Sequence, residues 1–107
     1  MIDLHASSNM MGIFIQGNSY DSVYRYERHI VFPKMLIQNC PDFAKNQTFY
    51  NADLEKEGTA RRNLCEEIGE KTNVYSLEVS MYGWIEKGPD ITVPDVIHPY
   101  TEEDCEF

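Results

Sequence analysis

The sequence predicts a small mixed α/β domain. Strand-like runs alternate with helical patterns along its 107 residues, which is the order expected of strands and helices packed on one sheet. The most strand-like run, VYSLEVSMYG (74–83), alternates its side chains between two faces. A long pattern with apolar residues three and four apart follows the second strand-like run. A chain of this length forms at most one domain and buries a modest core.

Residues 1–5 read as the first strand. GIFIQG (12–17) reads as the second, rich in β-branched and aromatic residues and closed by Gly17-Asn18. From Asp21 to about Gln38, Val23, Tyr26, Ile30 and Val31 recur at helical spacing, with Arg25, Glu27 and Arg28 around them. Pro33 is expected to break or restart that helix, because proline lacks an amide donor and crowds the preceding turn. MLIQNCPDF then leads through Pro41 to a strand at QTFYNA (47–52).

In EKEGTARRNLCEEIGEKTN, Thr59 is placed to cap a helix whose apolar positions include Ala60, Leu64, Cys65 and Ile68. Gly69 stands where a helix end favours a left-handed residue. In the run 74–83, Tyr75, Leu77 and Val79 share one face, and Ser76, Glu78 and Ser80 the other. EKGPDITVPDVIHP is expected to be a proline-punctuated loop. At YTEED, Thr101 caps a last helix and Asp104 closes a capping box over an acidic first turn. That helix barely starts before Phe107, and the first strand has no lead-in, so both ends read as cut from something larger. There are no internal repeats and no low-complexity tracts.

Eighteen acidic residues against nine basic ones give a formal charge of −9. Nucleic acids and anionic membranes both need a basic face, so neither is expected as a partner. No apolar run approaches the roughly 18–20 residues of a membrane helix, and no secretory signal is read at the N-terminus. Cys40, Cys65 and Cys105 are odd in number, far apart and never in a C-x-x-C pair. They indicate neither a disulfide scaffold nor a cysteine zinc site, and they fit a reducing, cytosolic compartment.

Two residues stand out chemically. Glu78 lies in the middle of an apolar strand, where a carboxylate is costly unless its face lines a polar cleft or its charge is paired. It is either a solvent-facing glutamate or a general base beside a metal-bound water. His5, at the end of the first strand, is either a structural imidazole or a metal ligand. His29 and His98 have no second ligand-type residue at close spacing, and neither H-x-x-E nor H-E-x-x-H occurs. A catalytic zinc site needs three protein ligands and an open position, which these residues do not supply.

DLHASS, GIFIQGN, ERHIVFPKMLIQNCPDF, EKEGTAR, VYSLEVSMYG and YTEED occur in that order. Together they resemble the C-terminal part of the catalytic domain of the cytosolic carboxypeptidases, zinc metallocarboxypeptidases of the funnelin clan that trim glutamates from tubulin and other proteins. The resemblance covers essentially residues 1–107, and EKEGTAR and YSLEVSMYG are its most specific parts. It implies part of an α/β/α sandwich with a mixed sheet, Zn²⁺ as cofactor, and a cytoplasmic, microtubule- or cilium-associated setting. It also implies roles. His5 matches the last zinc ligand, Glu78 the glutamate that activates the zinc-bound water, and Arg61 the arginine lining the pocket for the C-terminal side chain. The implied partners are glutamylated protein C-termini or side chains, tubulin among them.

The chain departs from the family pattern just after His5. The family usually continues as histidine, glycine, histidine, serine and then basic residues. Here Ala6 replaces the glycine, Ser7 the second histidine, and Asn9 and Met10 the basic pair. One extra residue lies between the second helix and the strand of Glu78. The family's first two zinc ligands, a His and a Glu three apart, and its substrate-carboxylate arginine are expected upstream. The acidic balance repels acidic tails at long range, with Arg61 and Arg62 as a local counterweight. Two alternatives accompany the hydrolase: a truncated remnant or pseudoenzyme that binds tubulin tails, and an unrelated α/β binding module in which His5 and Glu78 are structural.

Overall fold

The computed structural model describes residues 1–51 and 57–105, and no helix among them is long and apolar enough to cross a membrane. Its elements, in chain order, are β1 (Ile2–Ser7), β2 (Ile13–Asn18), α1 (Val23–Asn39), β3 (Phe49–Asn51), α2 (Ala60–Ile68), β4 (Tyr75–Ser80), β5 (Gly83–Glu86) and β6 (Val96–Pro99). Short 3-10 turns occupy Lys45–Gln47 and Glu102–Cys105. Ala52 of the expected third strand, and Glu55 and Lys56 of the EKEGTAR block, lie outside the described residues.

Four strands form a mixed sheet in the order β1-β4-β2-β3. β1 runs parallel to β4, β2 antiparallel to β4, and β3 parallel to β2. The fold class is therefore the mixed α/β expected. β4 is central, and its register sets Glu78 between His5 on one side and Phe14 on the other. Side chains opposite one another in a sheet share a face, so His5, Glu78 and Phe14 point the same way. The other face is apolar. Ile15, Phe43 and Tyr75 form its core, with Ile13, Leu77, and Phe32, Leu36 and Ile37 of α1 packed against it. The apolar cover stops short of β1, where Leu4 is 72% exposed.

α1 does not break at Pro33. It runs unbroken over 17 residues, with Ser22 at its N-cap accepting from the Arg25 N–H at 3.4 Å. Proline deprives the carbonyl four residues earlier of its helical donor, and here that carbonyl belongs to His29. The Tyr75 hydroxyl donates to it at 2.6 Å. A side chain from β4 thus replaces the missing amide, and Pro33 itself is buried in the helix.

The expected loop after Trp84 is instead a two-stranded hairpin, β5 with β6, in which Trp84 pairs with His98 and their rings stack at 4.4 Å. The final segment forms a single 3-10 turn in which the Thr101 N–H and hydroxyl both donate to Asp104, at 2.6 and 2.9 Å. That is half of the capping box that YTEED suggests. Gly69 ends α2 at φ +84°, as its position in the sequence implies.

Candidate functional site

One face of the sheet carries a polar row. Asp3, His5 and Ser7 on β1 stand in register with Ser76, Glu78 and Ser80 on β4. Neighbouring strands lie about 4.8 Å apart, so His5 and Glu78 are immediate neighbours. The His5 Nε2–H donates to Asp3 Oδ2, 2.7 Å away. That hydrogen bond raises the imidazole pKa above its usual value, helped by the charges of Asp3 and Glu78 and opposed by slight burial. His5 remains half open to solvent.

Of the three serines of this row, Ser7 lines the cleft in front of Glu78 and the other two do not. Ser76 and Ser80 are buried, and Ser80 Oγ accepts from the Tyr82 and Gly83 amides at 3.1 and 3.4 Å to hold the turn after β4. The polar cleft that one reading of Glu78 requires is present but short. Glu78 borders a cleft of about 320 Å³ whose wall is the segment Ala6 to Met10, with Phe14 and Gln16 beneath. Ala6, Ser7, Asn9 and Met10 therefore help to shape the space in front of Glu78.

Arg61 lies elsewhere. It projects from the first turn of α2 to the far end of β2, four residues along from Phe14, or about 13 Å at strand spacing. It is 1% exposed, and its Nη1 donates to the Gly17 carbonyl and to Asn18 Oδ1, both at 2.6 Å. Its Nε and Nη2 are buried with no hydrogen-bond partner. Burial, reinforced by the Arg62 charge, pulls its pKa below the ordinary arginine value, yet a guanidinium stays protonated in proteins. Asn18 has the strand parity of Phe14 and Gln16, so the guanidinium meets the same face of the sheet that carries Glu78. Its partner Asn18 lines a cleft of about 270 Å³ together with Tyr20, Arg25, Arg62 and Cys65 among others, while Arg61 itself lies behind that lining.

A buried network behind Arg61 was not anticipated from the sequence. The Asn18 N–H donates to His29 Nε2 at 3.0 Å, and Asn18 Nδ2 donates to the Val74 carbonyl at 3.3 Å. His29 is fully buried, stacked 4.4 Å from the Tyr75 ring. Because Nε2 accepts, the ring proton sits on Nδ1, which faces Asn73 Oδ1 at 3.4 Å. Burial pushes the His29 pKa down to about 4, and the Arg25 and Arg61 charges act the same way. His29 is a neutral core imidazole. His98 pairs with Glu86 at 2.7 Å on the hairpin. A larger cleft, about 620 Å³ and bordered by Met11, Phe43, Gln47 and Trp84, contains none of His5, Glu78 and Arg61.

No family model matches the chain. Among curated proteins, "Cytosolic carboxypeptidase 6" of Homo sapiens is 42% identical over 102 residues, covering 95% of this chain and 19% of that protein. The Mus musculus protein of the same name is also 42% identical over 102 residues, covering 18% of that protein. The chain belongs to the cytosolic carboxypeptidase family. It spans about a fifth of the length of these relatives. A protein of Plasmodium falciparum (isolate 3D7), named "Putative zinc carboxypeptidase", is 35% identical over 83 residues, covering 76% of this chain and 5% of that protein.

Zinc can be tested against the residues present. A catalytic zinc centre takes three protein ligands and an open position, and no group of three His, Cys, Asp or Glu side chains among the described residues could hold a metal ion. His5 offers one nitrogen. The described residues do not make a zinc centre by themselves.

Proposed function

We propose that this chain supplies the His5–Glu78 edge of the active site and the Arg61 specificity pocket of a cytoplasmic zinc metallocarboxypeptidase. Its substrates are proteins with C-terminal or branch glutamates, tubulin among them, in a microtubule- or cilium-associated setting. The observation that carries the proposal is the sheet register. It sets an exposed imidazole beside a carboxylate at a cleft, and the same face meets a buried guanidinium with open donors.

The division of labour follows from the side chains. Glu78 accepts the proton of the attacking water and passes it to the leaving amine, the work of a general base turned acid. Arg61 offers the edge formed by Nε and Nη2, two parallel donors matched to a carboxylate. His5 would provide one nitrogen ligand to the metal, with the remaining ligands supplied from outside the described residues. The departures at Ser7, Asn9 and Met10 change the wall against which the substrate lies.

The test uses a complete carboxypeptidase containing this segment. His5→Ala should lower zinc content and activity together. Glu78→Gln keeps the side chain's size and removes the base, so zinc should stay while turnover falls by at least the ~10²–10⁴-fold typical of a lost general base. Near-normal turnover of a zinc-loaded Glu78→Gln protein would sink the mechanism.

A further inference from the structure

We propose that Asn18 and His29 are positioning residues that aim Arg61, so that the pocket selects a carboxylate side chain over its amide analogue. The proposal rests on Arg61 being the side-chain pocket, and it extends that assignment to two residues that act through Arg61. A guanidinium carries five N–H donors on two usable edges. Here both contacts fall on Nη1, through Gly17 O and Asn18 Oδ1. The Nε and Nη2 donors stay buried and unpaired, and they form the side-on edge that can bind a carboxylate in two parallel hydrogen bonds.

What keeps that edge open is the orientation of Asn18. Its side-chain amide is clamped at both ends, by Arg61 at Oδ1 and by the Val74 carbonyl at Nδ2. Its backbone N–H is fixed by His29 Nε2, and His29 is fixed in turn by Asn73 and by the stacked ring of Tyr75. A Cβ on Gly17 would stand 2.7 Å from His29 Nε2 and 2.6 Å from Tyr50 Cδ1, so the strand approaches His29 as closely as only glycine permits. Removing Asn18 Oδ1 leaves the guanidinium held by one carbonyl and free to turn its donors elsewhere. A turned guanidinium still attracts negative charge. It no longer presents the two-donor edge that tells glutamate from glutamine.

The experiment uses the 107-residue chain in two measurements. The first is the NMR signal of Arg61 Nε–H, whose exchange and guanidinium rotation report whether the group is held. The second is binding of N-acetylated dipeptides ending in glutamate or glutamine, followed on the same signal. In the wild type we expect a slowly rotating guanidinium and a preference for glutamate. Asn18→Ala should free the rotation and lower the preference about tenfold, the size of one charged hydrogen bond. Asn18→Asp should hold the guanidinium yet also lose the preference, because its own carboxylate answers the charge. A merely structural Asn18 would change the melting temperature in both variants and leave the glutamate-to-glutamine ratio unchanged. That result overturns the proposal, as does a guanidinium still held in Asn18→Ala. If the wild type shows no preference, the assignment of Arg61 to a glutamate pocket fails, and selection by Asn18 and His29 fails with it. The rotation measurement then still separates a guanidinium held by Asn18 from one that is not.

Discussion

Acidification should destabilise this domain through one residue, His29. In the unfolded chain its imidazole titrates near 6.5, whereas in the fold burial holds it at about 4. The folded state therefore binds fewer protons between those values, and stability falls as pH drops through the window. Each unit of separation is worth about 1.36 kcal/mol, so the full effect is about 3 kcal/mol. Between pH 7 and pH 5 the linkage relation gives about 2 kcal/mol, or roughly 8–16 °C of melting temperature for a domain of this size. His5 acts in the opposite sense. Its pKa is raised, so its contribution is present at low pH and lost on going up, and exposure keeps it small. Asp90, Asp95 and Asp104 have lowered pKa values, and the stability they contribute is lost only in more acidic solution. Thermal melts at half-unit steps from pH 7.5 to 5, on wild type and His29→Phe, isolate the effect. The variant keeps an aromatic ring against Tyr75 and melts lower at neutral pH, and its melting temperature should be nearly flat over the window. A variant as pH-sensitive as the wild type, or a His29 NMR titration centred near 6.5, would refute the assignment.

Tyr75→Phe should cost about 1–3 kcal/mol, because it leaves the His29 carbonyl buried without a donor. Adding Pro33→Ala restores the helical amide, so the double variant should recover part of that loss, and an additive cycle would show that the two do not share the carbonyl. Asp3→Asn should bring the His5 pKa down towards its usual value, read by the histidine NMR signals, since Asp3 is the main cause of its rise. Zinc titration of the chain should find no tight site. One zinc per chain at sub-micromolar affinity would contradict the single matched ligand.

Much of the framework follows from local pattern. The strand at 74–83 and the helix α1 both form where the sequence places them. The inner face of α1, however, is His29 and Pro33 with Phe32, Leu36 and Ile37, while Val23 and Val31 of the expected stripe are exposed. Pro33 escaped that logic because its remedy is tertiary. The hydroxyl that replaces its amide comes from Tyr75, 42 positions later in the numbering. The β5–β6 hairpin was hidden by its prolines: Pro99 closes β6, and Pro89 and Pro94 lie in the connection between the strands. His5 and Glu78 could each be picked out by residue type, but their adjacency depends on a parallel pairing across 73 positions, which no local signal encodes. Asn18 read as a strand-closing residue beside a glycine. Asparagine at such a place usually serves a turn, and only the packed α2 shows that it serves Arg61.

Placing Glu78 on the central strand and His5 on the edge gives the two groups unequal freedom. β4 is laced to neighbours on both sides, while β1 has a partner on one side among the described residues. Backbone amides near Glu78 should exchange among the slowest in the chain, and those of β1 sooner, because an outer strand can peel away without opening the rest. The carboxylate is thus a fixed reference, and the imidazole sits on an arm with play in it. A fixed reference demands accuracy from whatever docks against it, whereas an arm with play can adjust to a visitor of uncertain position. Displacements of β1 would move His5, while Glu78 stays where the core puts it.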